Sequence, residues 1–346
     1  MIRASDIVNK ATELGFDKCG IVPVADMAGY GEKLEERIRR FPETEKIYGD
    51  FRAFARVKEV YPRAEAVVIC SYWYGKYHIP EKLQGRIAKY YLTDGRREPA
   101  SAPYRTSVAF EKYLVDAGLW VKTDRDFGIT ALRHAAMRAG IGIIRKNNFF
   151  YTERGSWQYL EAFLIDRPFE YIAENHIRPC GENCDLCAAA CPTGSLEGPY
   201  MMCRNTCVSC LTTWDGWDLR KEPLSDRFGE WMYGCDTCQD VCPYNRNAWS
   251  DEEKFPGLEE LAETSGHPDP YISIVRADYR WLEAVLRPKL WYIPKGKEWR
   301  YKTNALNAML NNYRPEYLPV IREALGDERE EVREMAEYVL GQIVGV

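Results

Sequence analysis

Ten of the chain's twelve cysteines fall between Cys180 and Cys242, and no other feature constrains the fold as strongly. The first group, Cys180, Cys184, Cys187 and Cys191, is spaced C-x3-C-x2-C-x3-C and is followed by Pro192. The second, Cys235, Cys238 and Cys242, is spaced C-x2-C-x3-C and is followed by Pro243. Between them lie Cys203, Cys207 and Cys210. Two thiolates close together on a tight turn reach two corners of one iron–sulfur cubane, while the cysteine before proline is carried by the next turn to the other cluster. On that crossed pattern Cys180, Cys184, Cys187 and Cys242 hold one [4Fe–4S] cluster. Cys191, Cys235, Cys238 and one of the middle three hold a second. Two clusters need about eight thiolates, so two of the ten cysteines are spare. Structural zinc also uses paired C-x2-C motifs, but proline after the last cysteine of both runs favours clusters. Cys19 and Cys70 lie in apolar surroundings and read as inert buried thiols.

The rest of the composition sets the context for that stretch. A chain of 346 residues is too long for a single core and suits two or three domains. Hydrophobic content of 46% with 29% charged residues is that of a globular protein. No run of about 18 apolar residues is present, and the N-terminal stretch is charged throughout without a signal-peptide core. A cytoplasmic location is therefore expected, where disulfides are rare and clustered thiols bind metal. The net charge of −5 excludes a general positive coat for nucleic acid but permits a local basic patch.

Three segments follow along the chain. Residues 1–172 read as α/β: a helix capped by Ser5 through Leu14, strands at Cys19–Val24, Ala64–Tyr74 and Trp157–Ile165, and a helix Thr130–Ala139 stopped by Gly140. The second strand is apolar on both faces, which predicts a sheet covered by helices. Residues 173–250 replace periodicity with cysteine, glycine and proline, as in a segment that its metals organise. Residues 251–346 turn helical and end in a pair, Tyr317–Leu325 and Glu331–Ile343, resembling one HEAT-type repeat.

Particular stretches match a known family. DFG at 126–128, HAAMRAGIGIIRKN at 134–147, GSWQYLEAFL at 155–164, CPTGSL at 191–196, CVSCLT at 207–212 and YGCDTCQDVCPYN at 233–245 resemble the epoxyqueuosine reductases. TNALNAML at 303–310 and VREMAEYVLGQI at 332–343 look like that family's helical tail. The resemblance implies an α/β cobalamin-binding domain, a ferredoxin-like double [4Fe–4S] module and a HEAT-like C-terminal region. It implies base-off cobalamin as cofactor beside the two clusters, and Co(I) chemistry that reduces the epoxide of epoxyqueuosine in tRNA to queuosine. Asp126 aligns with the proton donor, a role that calls for a raised pKa. Asn147, Phe150, Leu160, Ser209 and Asp236 match corrin contacts, along with Asp126 itself. The family's C-I-S-x-L-T pattern selects Cys207 as the eighth cluster ligand and leaves Cys203 and Cys210 spare.

Expected partners are tRNA and a low-potential electron donor such as ferredoxin or flavodoxin, with no membrane and a monomeric chain. From Arg276 to Lys302 eight basic residues face three acids, interleaved with Trp281, Trp291 and Trp299. That pattern suits RNA or a solvated helix face with snorkelling side chains. The chain departs from the family at Arg145, where Gly or Ala is usual, and at Pro103-Tyr104-Arg105, which stands nearest to an Asp-Tyr-His triplet. Those departures keep two alternatives open: a related corrinoid reductase acting on a small epoxide or organohalide, and a non-catalytic electron-transfer or corrinoid-reactivating protein.

Overall fold

The structure, a computed structural model, describes residues 2–214, 216–263 and 267–344. Its first part is organised on a four-stranded sheet. Helix α1 (Ala4–Leu14) leads into β1 (Lys18–Pro23), and α2 (Ala28–Arg40) follows. Then come β2 (Ala66–Trp73), α3 (Ala102–Asp116), β3 (Val121–Lys122), α4 (Leu132–Arg138), the short pair β4 (Ile143–Ile144) and β5 (Phe150–Tyr151), and β6 (Gln158–Ile165). The sheet order is β1-β2-β6-β3, and every neighbouring pair is antiparallel.

The two faces of β2 divide as its apolar run predicts. Ala66, Val68, Cys70 and Tyr72 join Ile7 and Ala11 of α1 and Phe110 and Leu114 of α3 in one buried cluster. Val67 and Ile69 join Ala135, Ala136 and Ala139 around α4 in the other. Each such aliphatic side chain, fully buried, contributes about 1.5–3 kcal/mol. A charge in place of Val68 would break the layer, because the side chain is completely buried. Cys19 and Cys70, the two thiols outside the cysteine stretch, face each other across the β1–β2 ladder in this interior.

Two local expectations shift. Ser5 lies inside α1 rather than capping it; the cap is Arg3, whose backbone N–H donates to Asp6 at 3.0 Å. Helix α4 is shorter than its sequence pattern, but Gly140 does end that turn, at φ 73°. A Cβ there would lie 2.1 Å from the Ala173 carbonyl oxygen, so only glycine fits.

The cysteine stretch is mostly loops and short helices, including Leu186–Ala189, Val208–Thr213 and Thr237–Asp240. The C-terminal part is helical, with α5 (Trp299–Asn311), α6 (Tyr317–Ala324) and α7 (Glu330–Val344). Its apolar residues run into the same buried cluster as the α1/α3 face of the sheet. No helix among the described residues is long and apolar enough to cross a membrane.

Candidate functional site

The fold gathers the cysteines into two sets. Cys180, Cys184, Cys187 and Cys242 line one small pocket together with Arg145, Lys146 and Asn147. Lys146 fixes the loop that carries the first two, donating from Nζ to the carbonyls of Gly181, Glu182 and Cys184 at 2.9, 2.6 and 3.0 Å. Cys191, Cys207, Cys235 and Cys238 form the second set. Burial pushes the Cys238 thiol up, and the neighbouring thiols of Cys207, Cys235 and Cys191 push it further. The Cys235 thiol is pushed up to about 12, again chiefly by burial. Without a metal these thiols stay protonated; a bound iron would take them as thiolates.

Cys203 and Cys210 have other surroundings. The Cys203 thiol is buried and donates to Glu43 Oε1 at 3.2 Å. Cys210 lies on the helix that starts after Cys207, near Arg204 and Cys207, and burial lifts its thiol to about 11.

Beside the cysteine sets the sheet domain opens a cavity of about 820 Å³. Phe150 and Leu160 line it, as do Tyr74, Tyr90, Tyr104, Arg37, Arg133 and Glu161. The lining residue Ser156 donates to Gln239 Oε1 at 2.8 Å, and Asn147 Nδ2 donates to the Cys238 carbonyl at 3.1 Å. Asn147 thus bridges the two cysteine loops rather than lining the cavity. Ser209 and Asp236 also lie outside the lining: Ser209 shares a 2.8 Å hydrogen bond with the Tyr91 hydroxyl, and Asp236 accepts from the Lys89 backbone N–H at 2.8 Å. Burial raises the Asp236 carboxyl to about 6.

Asp126 stands at the mouth of the cavity on a loop whose neighbours Arg125, Phe127 and Gly128 line it, while Asp126 itself turns outward. Arg97 clamps its carboxylate through Nε at 2.8 Å and Nη2 at 2.6 Å, and Arg96 holds its backbone carbonyl at 2.5 Å. The Arg97 guanidinium holds the Asp126 carboxyl below the usual carboxylate range. This is opposite to the raised value expected of a proton donor, and the cause is an ion pair formed with a residue distant in sequence. Around the mouth, Phe127 packs against Trp214, Trp291 and Tyr292 with ring centroids 6.2, 5.5 and 6.0 Å away.

Glu161 gave no prior signal beyond being a lone carboxylate in an apolar strand. It faces α3 from β6, accepts from Ser107 Oγ at 2.6 Å, and lies 3.4 Å from Arg125 Nε. Burial, the largest cause, lifts its carboxyl to about 7. Arg37 and Arg133 were missed as well; Arg37 donates to Asn148 Oδ1 at 3.1 Å and Arg133 to the Asn148 carbonyl.

The basic stretch near the C-terminus is partly engaged in ion pairs. Arg276, Lys289, Lys295 and Lys302 pair with Glu323, Glu98, Glu283 and Asp327, and Arg300 is buried. Lys289 and Lys302 are largely buried in their pairs, whereas Arg276 and Lys295 stay 46% and 72% exposed.

Residues 179–245 match the family described as a 4Fe-4S double cluster binding domain. An epoxyqueuosine reductase of Prochlorococcus marinus is 30% identical over 266 residues, which span 69% of this chain and 77% of the relative. The chain belongs to the epoxyqueuosine reductase family. It is accordingly an oxidoreductase with a double-cluster domain. A crystal structure of epoxyqueuosine reductase with a tRNA-Tyr epoxyqueuosine-modified stem loop superposes at a TM-score of 0.75 and 24% identity, covering 98% of this chain and 89% of the other. A structure from Bacillus subtilis, in which an aspartate-bearing catalytic loop is swung out of the active site, gives 0.74 at 24% identity, with 98% and 90% covered. These two likenesses establish the fold.

Proposed function

We propose that this protein reduces the epoxide of epoxyqueuosine in tRNA to the alkene of queuosine, using cobalamin in the large cavity and two [4Fe–4S] clusters. The carrying observation is the cavity of about 820 Å³, whose lining residue Ser156 hydrogen-bonds Gln239, next in sequence to Cys238, and whose mouth carries the Asp126 loop. Its size is at the upper end for small-molecule sites, roughly 300–1,000 Å³, and its aromatic lining suits a large planar ring. That fits a corrin better than a small epoxide or organohalide alone. Membership of an enzyme family and the presence of a walled cavity weigh against a pure electron carrier.

Removing the epoxide oxygen as water consumes two electrons and two protons. Cobalamin, when bound, supplies the nucleophilic reducing chemistry that no side chain here can. Phe150 and Leu160 bound its cavity, and Asn147 supports the wall behind it. The ligand sets are Cys180, Cys184, Cys187 and Cys242 for one cluster and Cys191, Cys207, Cys235 and Cys238 for the other. Asp126 is the proton donor, delivered when its loop leaves Arg97 and turns inward; the swung-out loop of the Bacillus subtilis relative supports that reading. Ser209 and Asp236 act indirectly, by placing the cysteine helices. The aromatic mouth receives the nucleobase, and a one-electron donor such as ferredoxin or flavodoxin feeds the clusters. The division at residues 172 and 250, the HEAT-type reading of α6–α7, the monomeric state and a cytoplasmic location belong to the same proposal.

Metal analysis of an anaerobic preparation given cobalamin tests it. About eight irons and about one cobalt per chain are expected; failure to retain any corrinoid overturns the reading.

A further inference from the structure

Arg145 carries a positive charge into the interior without an acidic partner. It is 2% exposed, and no carboxylate pairs with it among the described residues. Its guanidinium stacks 3.3 Å from the Tyr244 ring centroid and 5.0 Å from that of Tyr151. Its Nε has no hydrogen-bond partner, and its Nη1 points at Cys180 Sγ, 3.8 Å away. Tyr244 is itself fixed, donating from its hydroxyl to the Pro179 carbonyl at 3.0 Å beside the same cysteine.

Burying a guanidinium costs several kcal/mol unless an anion meets it. Arginine does not escape that cost by losing its proton. Aromatic faces offset part of it. The group within reach that could offset the rest is the thiolate set of Cys180, Cys184, Cys187 and Cys242. An iron–sulfur cluster held by four thiolates is anionic, and it gains one further negative charge when it accepts an electron. A fixed cation beside one of its sulfurs stabilises the reduced form more than the oxidised form, because cluster potentials follow net charge and hydrogen bonds to sulfur.

We propose that Arg145 tunes the reduction potential of the cluster held by Cys180, Cys184, Cys187 and Cys242, making it a readier electron acceptor than it would be without that charge. This rests on the cluster reading of the proposed function. Each reduction takes one electron from an external low-potential carrier and leaves the iron and sulfide count unchanged. Arg145 is a positioning residue, without contact with substrate.

The test is a potentiometric titration, followed by electron paramagnetic resonance, of reconstituted wild-type, Arg145→Gln and Arg145→Lys proteins. Iron and sulfide are measured on the same samples. In Arg145→Gln one of two signals is expected to move negative, by at least tenfold in the reduced-to-oxidised ratio at fixed potential, about 59 mV for one electron. Arg145→Lys should keep most of the wild-type value. Two unshifted signals in a fully loaded Arg145→Gln protein overturn the proposal. So does loss of the same cluster from both variants, which assigns Arg145 a purely structural role. A wild-type protein without about eight irons refutes instead the cluster reading beneath it.

Discussion

Replacing Arg97 by alanine separates the two tasks assigned to the Asp126 loop, waiting and donating. The ion pair is bidentate, at 2.6 and 2.8 Å, but each side chain is 41% exposed. Pairs that open to solvent are worth about 0.2–1 kcal/mol. Removing this one shifts the balance between clamped and released loop by at most about fivefold, at 1.4 kcal/mol per decade. The Arg97 guanidinium also lies 3.9 Å from the Trp291 ring centroid, and that contact belongs to the clamp rather than to the donor. Because Arg97 lowers the Asp126 pKa, its loss lets Asp126 stay protonated to higher pH. The expected result is a single-turnover rate on an epoxyqueuosine stem loop that stays within about fivefold of wild type, with its alkaline limb moved upward. Asp126→Asn, assayed beside it, should lose roughly 10²–10⁴-fold, as loss of a general acid does. A hundredfold loss in Arg97→Ala with clusters and corrinoid fully loaded would refute the reasoning, since Arg97 would then act on the substrate.

Cys207→Ser should remove about four irons per chain, while Cys203→Ser and Cys210→Ser should keep about eight; iron analysis after anaerobic reconstitution checks all three. Glu161, raised from 4.5 to about 7, makes a stabilising contribution that is complete below about pH 4.5 and lost as pH rises through about 7. Glu161→Gln should flatten that slope in denaturant unfolding by at most about 3 kcal/mol. Phe127 is 54% exposed, so Phe127→Ala should leave thermal stability nearly unchanged. If its ring stacks on the substrate base, KM for the stem loop should rise about tenfold with kcat little altered.

How much of this was legible beforehand varies with sequence distance. The crossed cysteine sets follow from local spacing and from proline after the last cysteine of each run, and the structure gathers Cys242 with Cys180 as that logic requires. The buried strand at Ala66–Trp73 declared itself by an unbroken apolar run. The orientation of Asp126 could not be read, because it depends on Arg97, 29 positions away, and on Trp291 beneath that arginine. The ion pairs of the basic stretch could not be read, because the carboxylate partners Glu98, Glu323 and Asp327 lie far off in sequence. Glu161 was hidden by its apolar neighbours; its Ser107 and Arg125 partners come from α3 and the Asp126 loop. Arg145 was visible as an anomaly, but its meaning needed the Cys180 sulfur beside it.

The most direct measurement is conversion of an epoxyqueuosine-containing anticodon stem loop by the anaerobically reconstituted protein, with nucleosides resolved by mass spectrometry. Queuosine should appear only when cobalamin and a low-potential reductant are both present, and should fall sharply with Asp126→Asn. An intact epoxide after incubation with protein carrying both clusters and corrinoid would contradict the account.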